Sequence, residues 1–209
     1  MSNHRVFAAL YDRITAHVEH AGFAAKRREL LAPLRGDVVE IGAGTGANLD
    51  HYNELNSLIC IEPDLAMRRR LERRIRSDEL RFPVRVLDCE LGRGQVPLPD
   101  GGVDAVVSTL VLCTVGNVSA ALREIRRLLR PGGDLILIEH VGNTGPSRLV
   151  QTALTPVQRV VAGGCHLNRD TRAAVAAAGF DVGGVEEWEL PGSVPLLRHA
   201  IAGCALKVD

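Results

Sequence analysis

Short apolar runs alternate with amphipathic stretches along most of this 209-residue chain. The period of each run predicts its element. From about Val6 to Leu34, the residues Phe7, Leu10, Tyr11, Ile14 and Val18 recur at the spacing of one helical face. Val38–Ile41, Ser57–Ile61, Val84–Leu87, Val103–Ser108 and Asp134–Glu139 are short runs rich in Val, Ile and Leu, and they read as buried strands. A helical pattern follows Asp64, a residue type that caps helices well. Another covers about Val118 to Leu129 and is stopped by Arg130-Pro131-Gly132-Gly133. Strands alternating with helices predict an α/β domain with a parallel sheet covered by helices.

The last third departs from that rhythm. Ser147 to Val161 predicts a helix interrupted near Pro156, and Arg169 to Ala178 a short Ala-rich helix ended by Gly179. Phe180–Leu190 and His199–Val208 then read as two strands joined through Pro191-Gly192-Ser193-Val194-Pro195. A late strand pair after five α/β units predicts a sheet closed by a hairpin. There is no internal repeat and no low-complexity linker, and the length suits one domain.

Charge narrows the function. Lys+Arg and Asp+Glu both number 25, so the basic surplus of a nucleic-acid-binding protein is missing. The run Arg68, Arg69, Arg70, Arg73, Arg74 and Arg76 lies on one predicted helix and reads as a solvated face. Cys60, Cys89, Cys113, Cys165 and Cys204 are scattered and form no C-x-x-C pair, which points away from a disulfide framework or a metal site. Free thiols in a domain of this size suit a reducing, cytoplasmic compartment. The start, with His4 and Arg5, does not read as a leader. The longest uncharged stretch, Ala105 to Leu122, carries too many polar residues to read as a membrane span. Peripheral contact with a membrane stays open, as does the oligomeric state.

The chemistry starts at Glu40-Ile41-Gly42-Ala43-Gly44-Thr45-Gly46-Ala47-Asn48. Glycines after a strand let the backbone approach a ligand, and the helix expected next offers free N–H groups. The spacing is G-x-G-x-G, whereas a dinucleotide fingerprint is G-x-G-x-x-G. Glu40 could accept from the amino group of a methionine moiety. Glu62 ends the second strand, 22 positions on, where an acid can hold a ribose diol. Leu87-Asp88-Cys89-Glu90 follows the third strand, and Asp88 could accept from an adenine amino group.

These elements, with Pro97–Asp104 and Leu128–Gly133, resemble the class I S-adenosylmethionine-dependent methyltransferases over roughly 34–140. That resemblance implies a Rossmann-like fold: a mainly parallel seven-stranded sheet, helices on both faces and a C-terminal antiparallel hairpin. It implies one domain over 1–209, with a helical segment 1–34, a cofactor-binding core 35–140 and an acceptor-side region 141–209. Glu40, Gly42, Gly44, Gly46, Glu62, Asp88 and Cys89 would line S-adenosyl-L-methionine, with Ala43, Thr45, Asn48, Pro63 and Glu90 beside them. Ser108, Thr109 and Leu110 would pass its methionine part. Thr109–Cys113, Leu129–Gly133, Glu139-His140-Val141 and Gly164-Cys165-His166-Leu167-Asn168-Arg169 extend the likeness to the microsomal thiol S-methyltransferase group. This chain departs from that group at its N-terminus, where the mammalian members carry an anchor, at Gln158, where they carry Trp, and at Ala200 before Ile201, where they carry His.

The resemblance implies in-line methyl transfer to a small-molecule acceptor, with a thiol first in line. The protein then has mainly to align a nucleophile and exclude water, without a metal. Cys113, Glu139 and His140 lie at strand ends not claimed by the cofactor. Among them His140 is the candidate base, its tautomer fixed by Glu139 or a backbone carbonyl. Cys113 reads as a buried, inert thiol, and Cys165 and His166 belong to a segment that could cover the pocket. Tyr11 could close over the cofactor. The alternatives are N- or C-methylation of a lipid or quinone-like acceptor, a non-catalytic cofactor-binding module, and a nicotinamide-dependent oxidoreductase, which the glycine spacing and late strands disfavour.

Overall fold

The computed structural model describes residues 17–161 and 164–208. Tyr11 and the rest of the expected helical face before His17 lie outside them. The described part of that segment is helical from His17, kinks at Gly22 (φ 133°) and continues into α1, Ala24–Leu31.

Seven strands follow: β1 Asp37–Ile41, β2 Ser57–Ile61, β3 Val84–Leu87, β4 Val103–Thr109, β5 Leu129–His140, β6 Phe180–Glu189 and β7 His199–Lys207. They form one sheet in the order β3-β2-β1-β4-β5-β7-β6. The first five are parallel, and β7 pairs antiparallel with both β5 and β6. The strand order turns back between β1 and β4, so a crevice opens there at the carboxyl ends.

Period-two alternation sorts the core onto the two faces. Val39, Ile41 and Val106 join the cluster of Leu122, Ile125 and Leu128, which come from α3, Val118–Leu128. Val38, Ala105 and Val107 join Leu31 of α1 and Leu71 of α2, Leu65–Ser77. Helices therefore cover both faces, as this pattern requires when parallel strands are buried on each side. The Arg-rich face of α2 leaves Arg69, Arg73 and Arg76 in solvent, while Arg74 pairs with Asp50 and Asp78.

Two expectations need correction. Arg130–Gly133 stops α3, but the strand is already under way: Leu129 pairs with Val103, and pairing resumes at Asp134 opposite Ala105, with the four residues between looped out. Gly132 (φ 67°) makes that loop feasible. In addition, α4 runs unbroken from Pro146 to Val161 through Pro156. It lies mostly in solvent, so the loss of one backbone bond at Pro156 leaves a group that water can reach. Its amphipathicity is inverted. The inner stripe holds Gln151, fully buried, whereas Leu149 (74% exposed) and Val157 (61%) face outward. Gln151 Oε1 accepts from Asn143 N (2.7 Å) and its Nε2 donates to Leu196 O (2.9 Å), which ties α4 over the end of β5. The last helix, α5 (Thr171–Ala177), is capped by Asp170. Among the described residues, no helix is long and apolar enough to cross a membrane.

Candidate active site

The chain leaves β1 through three glycines in the left-handed region: Gly42 (φ 58°), Gly44 (φ 58°) and Gly46 (φ 91°). At Gly42 a Cβ would also meet Val111 Cγ2 at 2.5 Å, so the turn after β4 packs directly on the loop. At Gly44 a Cβ would meet only Gly42 O, at 3.9 Å. The loop is thus crowded below and open above, the shape of a cradle for a ligand. Ala43, Thr45 and Asn48 lie within it and are buried. The helix expected after the glycines is not an α-helix. A turn over residues 44–48 leads into a single 3-10 turn, Leu49–His51. Closely spaced glycines disfavour helix nucleation.

Glu62 closes the cradle from β2. One carboxylate oxygen accepts from Gly44 N (2.8 Å), the other from Asp64 N (2.8 Å). Burial raises its pKa, and these two bonds oppose the rise. Arg68, one turn into α2, donates to Glu62 O (2.8 Å) and holds Asp88 through both carboxylate oxygens at 2.7 Å. Pro63 sits beside this junction, half-buried. Cys89 is also half-buried, and burial raises its thiol pKa. Glu90 is exposed and pairs with Arg93.

Beneath the loop lies a polar network that sequence patterns did not bring together. Glu40 is 3% exposed; Tyr52 Oη donates to its Oε2 (2.7 Å) and Asn48 Nδ2 to its Oε1 (3.0 Å). Asn48 Nδ2 also reaches Thr109 Oγ1 (3.2 Å), and Arg27 Nη1 donates to Asn48 Oδ1 (2.5 Å). Arg27 is itself paired with Glu19 (2.9 Å). Both Glu40 oxygens are therefore engaged inside the protein, and burial pushes its pKa up to about 7. Arg27, from α1, and Tyr52, after the 3-10 turn, belong to no local motif, so nothing in the linear sequence joined them to Glu40.

At the end of β4, Ser108 is buried and Thr109 and Leu110 are half-buried. Leu110 adopts φ 57°, a conformation that a non-glycine side chain takes only when its surroundings enforce it. Glu139 does the enforcing. Its carboxylate accepts from Ser108 Oγ (2.5 Å), Val111 N (3.0 Å), Leu112 N (3.0 Å) and Cys113 N (3.1 Å). Burial raises the Glu139 pKa against these bonds. Glu139 is thus committed to the β4 turn and does not orient His140. His140, the next residue, is 3% exposed, and neither ring nitrogen has a formed hydrogen bond among the described residues. Its polar neighbour is the Cys165 thiol, a weak hydrogen-bonding group, and a buried imidazole left without a full hydrogen bond costs on the order of 1–3 kcal/mol.

The parallel sheet therefore brings Gly42–Gly46, Glu62, Ser108–Leu110 and His140 to one edge, at the carboxyl ends of β1, β2, β4 and β5. Asp88–Glu90, after β3, extend that edge outward.

Residues 39–137 match the profile of a family described as a methyltransferase domain. A thiol S-methyltransferase of Homo sapiens is 34% identical over 88% of this chain and 79% of its own length. One of Rattus norvegicus is 31% identical over the same shares. Among solved structures, a methyltransferase of Haloferax volcanii in complex with a methyltransferase activator superposes with TM-score 0.73 at 15% identity, covering 100% of both chains. That last likeness is one of fold.

Proposed function

Because this chain belongs to the S-adenosylmethionine-dependent thiol S-methyltransferase family, we propose that its acceptor is a small thiol and that His140 takes the thiol proton. When bound, S-adenosylmethionine supplies a methyl group on a sulfonium, with a neutral thioether as the leaving group. The cradle fits such a group: open space lies above Gly44, and the loop is fixed from below by Val111 and from the side by Glu62. Gly42–Gly46, Glu62 with Pro63, Asp88–Glu90 and Ser108–Leu110 are the residues that would hold it. Glu40 contributes by fixing Asn48 beneath the loop.

The observation that carries the acceptor side is the buried imidazole at the end of β5, which forms no full hydrogen bond among the described residues and has the Cys165 thiol as its polar neighbour. An alkyl thiol has a pKa of about 8.5, so near neutral pH most of it carries its proton and attacks poorly. Imidazole is the side chain suited to taking that proton near neutral pH. Burial keeps water away from the nucleophile once the proton has moved. We read the whole chain as one such domain, in a reducing cytoplasmic compartment that suits its five free cysteines.

Turnover with 2-mercaptoethanol, alongside phenol, amine and lipid acceptors, tests the substrate class. His140→Asn should lower thiol turnover by about 10²–10⁴-fold, partly recovered at high pH, with cofactor affinity retained. Near-normal turnover in that variant would remove His140 from the reaction. A lipid or quinone-like acceptor is the second reading, favoured by the apolar outer stripe of α4, and the same acceptor panel decides between the two.

A further inference from the structure

The reaction proposed above assigns no step to Cys113 or Cys165, yet they lie side by side, with Cys165 also against the His140 imidazole. Cys113 (2% exposed) and Cys165 (8%) share a small cluster with Leu167. The two thiols are close enough for each to shift the ionisation of the other. The backbones run together as well: His166 N donates to Cys113 O (2.9 Å), and Arg169 Nη1 donates to Leu112 O (2.5 Å) and Val115 O (2.8 Å). Gly164 fits so closely on Thr114 O that a Cβ would stand 3.0 Å from it. A disulfide needs Cα atoms roughly 4.4–6.8 Å apart, and the hydrogen bond from His166 N to Cys113 O keeps the two main chains adjacent at this pair.

We infer that Cys113 and Cys165 form an oxidisable dithiol, which peroxide-class oxidants convert to a disulfide that pins the 164–169 segment to the turn after β4. Their environments suit the two roles. Contact with Cys113 holds the Cys165 thiol well below the usual thiol range, and the imidazoles of His140 and His166 add to this against the effect of burial. Cys113 is held high by the same contact, by burial and by Glu139. Cys165 is thus the attacking thiolate and Cys113 the resolving thiol. Burial raises the thiols of Cys60, Cys89 and Cys204, which leaves them poorer competitors.

The step balances with hydrogen peroxide as oxidant. The Cys165 sulfur attacks one peroxide oxygen, the O–O bond breaks, and the departing hydroxide takes a proton to become water. The Cys113 sulfur then attacks the sulfenic acid sulfur. The S–S bond forms, and the second oxygen leaves as water with the Cys113 proton. Two thiols are oxidised and one peroxide is reduced to two waters. Because Cys113 sits two residues from Val111, which rests on Gly42, the new bond also ties the segment to the glycine loop. The consequence for turnover rests on the acceptor-side reading of His140; the bond itself does not.

The whole protein is treated with stoichiometric hydrogen peroxide, cleared of it, and divided. Peptide mapping should find one Cys113–Cys165 linked peptide, lost on dithiothreitol treatment and absent in Cys113→Ser and Cys165→Ser. Hydrogen exchange over 164–169 should slow in the oxidised wild type. Assayed with 2-mercaptoethanol, the oxidised wild type should lose its initial rate and show a lag that shortens as the acceptor reduces the bond, whereas oxidised Cys165→Ser should show no lag. Oxidation at Cys89 or Cys204 without that linked peptide would overturn the dithiol. A linked peptide with unchanged exchange over 164–169 would overturn the pinning. If the reduced protein methylates no thiol at all, the acceptor proposal fails alone, and mapping and exchange still decide this one.

Discussion

At the carboxyl ends of β1 and β2, every carboxylate is satisfied by the protein itself. Glu40 is held by Tyr52 and Asn48, and Glu62 by two backbone N–H groups. At the end of β5, two strands away, His140 is equally buried; among the described residues it has no formed hydrogen bond and meets only the weakly polar Cys165 thiol, and α4 turns apolar residues to solvent. The first region is pre-organised: its geometry is fixed before any ligand arrives, so binding need not order it. The second leaves an imidazole without a full hydrogen bond and an apolar surface uncovered.

The largest effect should come from breaking the pre-organised side at its tightest point. Gly42→Ala places a Cβ at 2.5 Å from Val111 in a left-handed conformation. Overpacking and backbone strain together should cost about 2–5 kcal/mol. Calorimetry with S-adenosylhomocysteine should show cofactor binding lost or severely weakened, and denaturant unfolding should show lower stability.

Acidity tests whether that side is truly satisfied. The Glu40 pKa is raised from the ordinary 4.5 to about 7, so the buried carboxyl prefers its proton in the folded state. Its contribution to stability is complete below 4.5 and is lost as pH rises through about 7. The loss should be on the order of 3 kcal/mol. Glu40→Gln keeps a partner for both Asn48 and Tyr52 and should flatten this part of the stability–pH curve. An unchanged curve would show that Glu40 is not the group titrating.

Glu62→Ala should weaken cofactor binding by about 1–3 kcal/mol, through the lost acceptor and the freed Gly44 N–H, in a protein that still folds. Calorimetry beside circular dichroism separates the two effects. The smallest contrast sharpens the β5 end. Gln151→Ala should cost about 1–3 kcal/mol by orphaning Asn143 N and Leu196 O, whereas Leu149→Ser on the same helix should stay within about 0.5 kcal/mol. Equal losses would mean that the outward apolar stripe of α4 is covered in solution.

Much of this molecule could be read locally. The runs at Ser57–Ile61 and Val84–Leu87 became β2 and β3 with those same bounds, because a short apolar run bounded by turn residues has few other ways to be buried. Asp64 was legible as a cap, and it accepts from Ala66 N and Met67 N. The glycine loop was legible for the same reason, since a steric allowance belongs to the residue itself. The continuation of β5 across Arg130–Gly133 was not, because the signal that ends a helix there also permits a bulge in a strand. The passage of α4 through Pro156 was not legible either, because proline's penalty depends on whether water reaches the orphaned carbonyl.

The sequence by itself determined the alternation of strands and helices, the glycine cradle, and the acids and histidine placed at strand ends. Each of these follows from the stereochemistry or hydrophobic period of neighbouring residues. Only the tertiary structure decided what those side chains do. Glu139, a candidate to orient His140, is spent on the β4 turn; Glu40 faces Tyr52 and Asn48; Cys165 comes to rest against Cys113, 52 positions away. The physical reason is that a hydrogen bond or thiol contact is set by distances of about 3–4 Å across the sheet edge, and such distances exist only once the strands have paired in register.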